Sequence, residues 1–246
     1  MKTRAVPASR GWQWIVEGFR LFRRQPLIWI LLLAAMVVIW IASTILQPIG
    51  PLAISLLSPV FIAGLMNACR VTDRGGEPEI GHLFSAFRTH AAPLVTIGGV
   101  YLVGNIVAVG VVFMVSGGDA LNTVLAKGRS EADIAMALRD LSLGLAVGTA
   151  AFIPVMMAVW FAPLLVVFHN ATPVAAMKSS FTASWQNMLP FTVYGFALMG
   201  LWILASIPLM LGLIVLLPVL ACSIYTGYKD IYAQHDTPAA SENISN

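Results

Sequence analysis

Charge is what this chain has least of. Asp, Glu, Lys and Arg make up 10% of its 246 residues, against roughly 25% in soluble proteins, which excludes an ordinary soluble domain. The gaps are long. None of these residues stands between Arg24 and Arg70 (45 residues), Arg88 and Asp119 (30), Asp140 and Lys178 (37), or Lys178 and Lys229 (50). Cysteine is as scarce. Cys69 and Cys222 both fall inside apolar stretches, so no disulfide framework is expected and both read as buried free thiols. Nor is a cleavable leader expected, because the first apolar run starts only at Leu27, lasts 20 residues and has no small-residue cleavage site in the usual place. There is no His-Glu-x-x-His, Cys-x-x-Cys, Gly-x-Ser-x-Gly or Walker loop. Hence no catalytic residue, metal or cofactor is expected.

What fills the gaps is apolar: 59% of the residues are hydrophobic. About 20 such residues in a helix cross about 30 Å of hydrocarbon. The first gap divides at Gln47-Pro48-Ile49-Gly50-Pro51, where proline and glycine end one helix and begin another. The next two gaps fit one crossing each, and the fourth fits two with a tight turn near 206–212. The expected fold is an all-α integral membrane domain over 1–233, with six spans at about 27–46, 51–69, 93–115, 143–168, 190–206 and 210–228. A polar, disordered cytoplasmic tail is expected over 234–246.

With six spans both termini share a side. Sorted that way, 11 of the 14 basic residues lie on the side of the termini, and Lys127, Arg129 and Arg139 lie opposite. That asymmetry predicts cytoplasmic termini. It also accounts for the net charge of +3 without a nucleic-acid partner.

Three segments ahead of a proline and a span are alike: Trp14 to Pro26, Glu79 to Pro93, and Val174 to Pro190. Each holds aromatics three or four residues apart with a basic residue nearby, a pattern that places them on one helix face. Such helices lie in the membrane interface, apolar side down. In the first, Trp12, Ile15, Phe19 and Phe22 form the expected stripe, with Arg20, Arg23 and Arg24 beside it. Thr172-Pro173 supplies an N-cap and first-turn proline for the third. The chain thus reads as three copies of one unit (interfacial helix, span, span), the geometry of a pseudo-threefold bundle. Between spans three and four, Ser130-Glu-Ala-Asp133 marks a helix start, and a short amphipathic helix is expected on the outer surface.

No expected span holds Asp, Glu, Lys or Arg, and proton relays place such groups in the membrane. A proton-coupled carrier is therefore not expected. Tyr101 and Asn105, one turn apart in span three, are the intramembrane polar candidates: a polar point in a pathway, or an interhelical hydrogen bond worth about 0.6 kcal/mol. Gly144-x-x-x-Gly148 and Gly104-x-x-x-Ala108 permit close helix packing, and Pro59, Pro154, Pro163 and Pro218 should bend their spans. His82, His90 and His169 have no fixed role, although Glu79-x-x-His82 puts a carboxylate and an imidazole on one helix face. Arg20, Arg23, Arg24, Arg88 and Lys178 are the lipid-headgroup candidates. Membrane lipids are the expected partners, and the sequence leaves open a homo-oligomer or another membrane partner.

The stretch Trp160-Phe-Ala-Pro163 to His169, with Ser179-Ser-Phe181, Asn187-Met-Leu-Pro190-Phe191 and Gly18-Phe-Arg-Leu-Phe22 to Pro26, resembles a family of uncharacterised proteobacterial multi-pass inner-membrane proteins. It is also distantly similar to the membrane domain beside some glycerophosphodiester phosphodiesterases, whose catalytic domain this chain lacks. The resemblance implies a bacterial inner membrane and no particular chemistry. Three functions follow as expectations: a non-enzymatic organiser of lipid or of a partner, a carrier or flippase for a lipid or apolar solute, and, least favoured, an interfacial enzyme using His169 or Glu79–His82. Reporter fusions at residue 120 and at the C-terminus should report opposite sides of the membrane; signals from one side would exclude six spans.

Overall fold

A backbone in hydrocarbon finds no water to bond, so each apolar run closes its own hydrogen bonds as a helix. The computed structural model describes residues 3–125 and 130–232; the expected tail, Lys127 and Arg129 lie outside the described residues. The chain begins with α1 (Arg10–Phe22), α2 (Pro26–Ile45) and α3 (Ile49–Asp73). A 3₁₀ turn (Ile80–Phe84) leads into α4 (Ser85–Thr89), α5 (Ala91–Ser116) and α6 (Ala120–Leu125). Then come α7 (Glu131–Val159), α8 (Ala162–His169), α9 (Pro173–Gln186), α10 (Met188–Ser206) and α11 (Leu213–Tyr232). Six of these segments are long and apolar enough to cross a membrane, counting α7 with α8 as one.

The fourth span departs from expectation at both ends. The amphipathic stretch after Ser130 is no separate surface helix but the first turns of α7, since nothing between Glu131 and Ile153 breaks a helix. Ser130 caps it as expected, its Oγ accepting from the Asp133 N–H at 3.2 Å. At Trp160–Phe161 the span breaks ahead of Pro163, which has no N–H to give. Ser180 of α9 repairs the break: its Oγ accepts from the Phe161 N–H (2.9 Å) and donates to the Met157 carbonyl (2.8 Å).

The three interfacial segments are present but unequal. Helices α1 and α9 are full helices, whereas the middle one is only the 3₁₀ turn and the five-residue α4. The stripe expected on α1 is split. Ile15 and Phe22 are buried, while Trp12 and Phe19 stay 49% and 41% exposed. The packed face is Gly11, Trp14, Gly18 and Leu21 with those two. Glycine turns the helix that way, because small residues let backbones approach where large ones cannot. A Cβ on Gly11 would stand 2.2 Å from the Pro190 carbonyl oxygen, and one on Gly18 would stand 2.7 Å from the Ser223 nitrogen. In α9 the same division recurs: Ala176, Ser180, Ala183 and Ser184 face inward, and Phe181 and Trp185 stack outside on each other at 6.2 Å.

The packing follows a cycle. Helix α1 packs on α11, the 3₁₀ turn and α4 pack on α3, and α9 packs on α7 and α8. Each interfacial segment thus grips the second span of the unit before it, with the first unit gripping the last. The first spans α2, α5 and α10 are peripheral, 11% of the most apolar window of each being buried, against 44%, 39% and 67% for the second spans. Each second span carries a proline (Pro59, Pro163, Pro218) followed by buried residues, Val60, Leu164–Val166, Val219, Ala221 and Cys222 among them. The glycine motifs serve internal packing: a Cβ on Gly148 would meet Val112 Cγ2 at 2.4 Å, and one on Gly104 would meet Val155 Cγ1 at 2.6 Å.

Gly18→Ala forces α1 off a backbone contact and should destabilise the protein by about 1–3 kcal/mol. Gly110→Ala, with nothing within 4 Å of the new methyl, should be neutral or stabilising by up to about 1 kcal/mol. Thermal unfolding in detergent checks both; equal midpoints would remove the close-approach argument.

Candidate functional site

Polar side chains gather at the end of the bundle where α1, α4 and α9 lie. Their centre is Asp230, in the last turn of α11 and only 7% exposed. Arg4 and Arg10 both pair with its carboxylate, and the Trp14 indole N–H donates to Oδ2 at 2.9 Å. A carboxylate taken from water is tolerable when its oxygens are met this fully. Arg10 also reaches Glu17 at 3.1 Å. Burial works against the charge on Arg10, but its bonds and charge contacts with Asp230 and Glu17 outweigh that and hold its pKa above the ordinary value. The segment before α1 is fixed by two further bonds: the Arg4 N–H donates to the Ile231 carbonyl (3.1 Å), and the Val6 N–H donates to Asn187 Oδ1 (2.9 Å).

A second cluster lies beside it. Asp73, at the end of α3, takes the Lys229 ammonium at 2.6 Å and the Tyr225 hydroxyl at 3.2 Å. The Arg70 guanidinium sits 4.8 Å above the Phe168 ring, a cation–π contact between α3 and α8. Between the clusters runs a polar groove of about 380 Å³, lined by Arg4, Arg10, Glu17, Arg20, Asp73 and Lys229 among others.

The five headgroup candidates divide here. Arg24 is occupied: its Nη1 donates to the Thr72 and Asp73 carbonyls at 2.9 and 3.2 Å, closing the C-terminus of α3. Arg20, Arg23, Arg88 and Lys178 are exposed, and none is in an ion pair among the described residues. Arg23 lies 5.8 Å from the Phe19 ring centroid.

The structure also places the remaining candidates. Tyr101 packs on Phe152 of α7 at 5.7 Å, whereas the Asn105 amide donates back to the Tyr101 carbonyl at 3.0 Å, a bond within α5 rather than between helices. Glu79 and His82 form a capping box, each side chain bonded to the other's backbone N–H, which gives the pair a structural role at the 3₁₀ turn. His90 Nε2 lies 2.8 Å from Asn170 Oδ1, and His169 Nε2 lies 2.6 Å from the Tyr228 hydroxyl. No group of three His, Cys, Asp or Glu suited to a metal occurs among the described residues. Cys69 and Cys222 are buried and unbridged, as expected.

Sequence reasoning missed Asp230, Arg4 and Asn187. Their signal was faint: one carboxylate in the last turn of the last span, and one amide just before Pro190.

Two apolar crevices open on the flank of the bundle. One, of about 450 Å³, is roofed by Trp12, Ile15 and Phe19 of α1 over the α10–α11 hairpin. The other, of about 350 Å³, lies among Met156, Trp160, Met188 and Phe191.

This is a multi-pass helical membrane protein. The chain is 30% identical over 225 residues to a probable inner membrane protein of Burkholderia thailandensis, an alignment covering 89% of this chain and 82% of that protein. It belongs to that family of inner membrane proteins. No family model and no solved structure matches it.

Asp230→Asn leaves two guanidiniums at the site without their shared anion. Because Arg4 is half exposed, part of the loss is screened, and about 2 kcal/mol of stability should go. Arg20→Gln should cost less than about 0.5 kcal/mol. Chemical unfolding in mild detergent checks the pair, and equal losses would deny Asp230 its central place.

Proposed function

We propose that this protein is a non-enzymatic organiser of anionic lipid at the cytoplasmic leaflet of the inner membrane. One observation supports the reading most: among the described residues Arg20, Arg23, Arg88 and Lys178 are in no ion pair, and aromatics at the same end of the bundle point outward. Phe19 and Trp12 flank Arg20 and Arg23, Phe84 precedes Arg88, and Phe181 and Trp185 flank Lys178. Amphipathic helices built this way rest at the headgroup boundary, ring side toward the acyl chains. The cytoplasmic assignment of this end rests on the positive-inside rule.

The carrier reading draws less support, since Tyr101 packs on α7 and the Asn105 amide is bonded within its own helix. The enzyme reading loses its best pair to the capping box. The likeness to the phosphodiesterase-associated membrane domain supplies a shared setting and no activity.

Each cation near an anionic surface contributes about 1 kcal/mol. A variant with Arg20, Arg23, Arg88 and Lys178 all changed to Gln leaves Arg24 on α3 and should keep its fold. Its enrichment of phosphatidylglycerol over phosphatidylcholine, measured by mass spectrometry of lipid bound after gentle extraction, should fall about five-fold per cation removed. Unchanged enrichment would defeat the reading.

A further inference from the structure

The crevice under α1 has a physical cause. Trp14 is fully buried as a wedge between α10 and α11, its ring 5.4 and 5.9 Å from Phe191 and Tyr194 on one side and against Gly227 on the other. Further along, the two helices close again at their turn, where a Cβ on Gly212 would meet the Ala205 Cα at 2.6 Å. Between wedge and turn they stand apart. Leu201, Leu204, Val215 and Val219 line the gap, and α1 roofs it.

We propose that this crevice seats one acyl chain of an anionic phospholipid whose phosphate stands at Arg20 and Arg23; the inference rests on the lipid-organising reading. Apart from the Trp12 indole N–H the lining is apolar, so water finds too few partners there, and an empty gap forfeits dispersion contacts. A volume of about 450 Å³ falls within the range of roughly 300–1,000 Å³ typical of ligand sites. Gly18 of the roof helix lies against Ser223, and Val215 precedes Ser223 by eight residues, about 12 Å along a helix, so the crevice runs from the roof helix into the hydrocarbon layer. Charge complementarity selects the occupant. The roof helix carries Arg23 against Phe19, and Arg20 one position on from Phe19 at the border of the polar groove; both are exposed, and neither is in an ion pair among the described residues. Guanidinium groups bind phosphate through paired N–H donors. A side chain of a partner protein would fill the gap and leave both arginines unanswered.

The test uses the full chain in phosphatidylcholine nanodiscs containing a little phosphatidylglycerol with a diazirine at mid-chain. Labelling should concentrate on the peptides holding Trp12–Phe19, Leu201–Ala205 and Val215–Val219, and should saturate. Excess phosphatidylglycerol should compete it away and phosphatidylcholine should not. Labels spread along α2 and α5 without saturation, or equal competition by phosphatidylcholine, would overturn the proposal in the unaltered protein. Ala205→Phe fills the crevice and should cut labelling of the Trp12–Phe19 peptide at least ten-fold; unchanged labelling excludes the crevice. Arg20→Gln with Arg23→Gln should lower the preference for phosphatidylglycerol about 30-fold, and an unchanged preference removes the headgroup site. If phosphatidylglycerol stays enriched around the protein but the crevice is unlabelled, the seat is wrong and the lipid-organising reading stands. If neither enrichment nor labelling occurs, both fall.

Discussion

Gly18 of α1 lies against the backbone of Ser223 with no room for a methyl group between them, and closure of the bundle hangs on that contact. In lipid, helices gain little by hiding apolar surface from one another, so association depends on close packing and on polar groups that find partners. The α1–α11 contact has both. Gly11 and Gly18 bring the backbones together, Trp14 fills the gap beside Gly227, and Asp230 gathers Arg4, Arg10 and the Trp14 N–H at the rim. The contact joins the first segment of the chain to the last and so completes the cycle of three units. It also fixes which way α1 is turned, which leaves Trp12, Phe19, Arg20 and Arg23 exposed.

The three units share a division of labour. First spans face lipid along most of their length, and second spans carry the proline and the buried residues that follow it. A break in a membrane helix leaves backbone N–H and carbonyl groups unmet, and a neighbouring helix has to answer them. At the α7–α8 break Ser180 does so from α9, so an interfacial helix holds both the surface and the interior of its neighbour. The outer hairpin of α10 and α11, by contrast, is wedged apart on the side of α1. The apolar crevice is therefore a consequence of seating α1, and the exposed Arg20 and Arg23 come with it on the same helix.

Much of this was legible in the chain. Long uncharged runs gave the spans because transfer of charge into hydrocarbon is costly, and Pro48 to Pro51 gave the first turn. The Ser130 and Thr172 caps were readable because a cap depends on neighbours three residues away. The roles of Glu79 and His82 were not readable, although they too are local, since a capping box and a base-orienting pair share the same spacing. The α1 stripe was misjudged because hydrophobicity alone ranks Trp12 and Phe19 above Gly11 and Gly18. In a membrane the bulky residues can face lipid at no loss, and the small ones decide which backbone comes close.

The sequence by itself determined the class of protein, the presence of six apolar runs long enough to span, and the recurrence of three interfacial segments. Each of these follows from composition and spacing along one segment, matched against a bilayer of fixed thickness. Only the tertiary structure decided which cations are committed. Arg4 and Arg10 are held by Asp230, more than two hundred residues away, and Arg24 by the end of α3, while Arg20, Arg23, Arg88 and Lys178 are left at the surface. Ion pairing and close packing depend on which segments meet, and that is set by the glycines of α1 and the small face of α9 acting across the bundle.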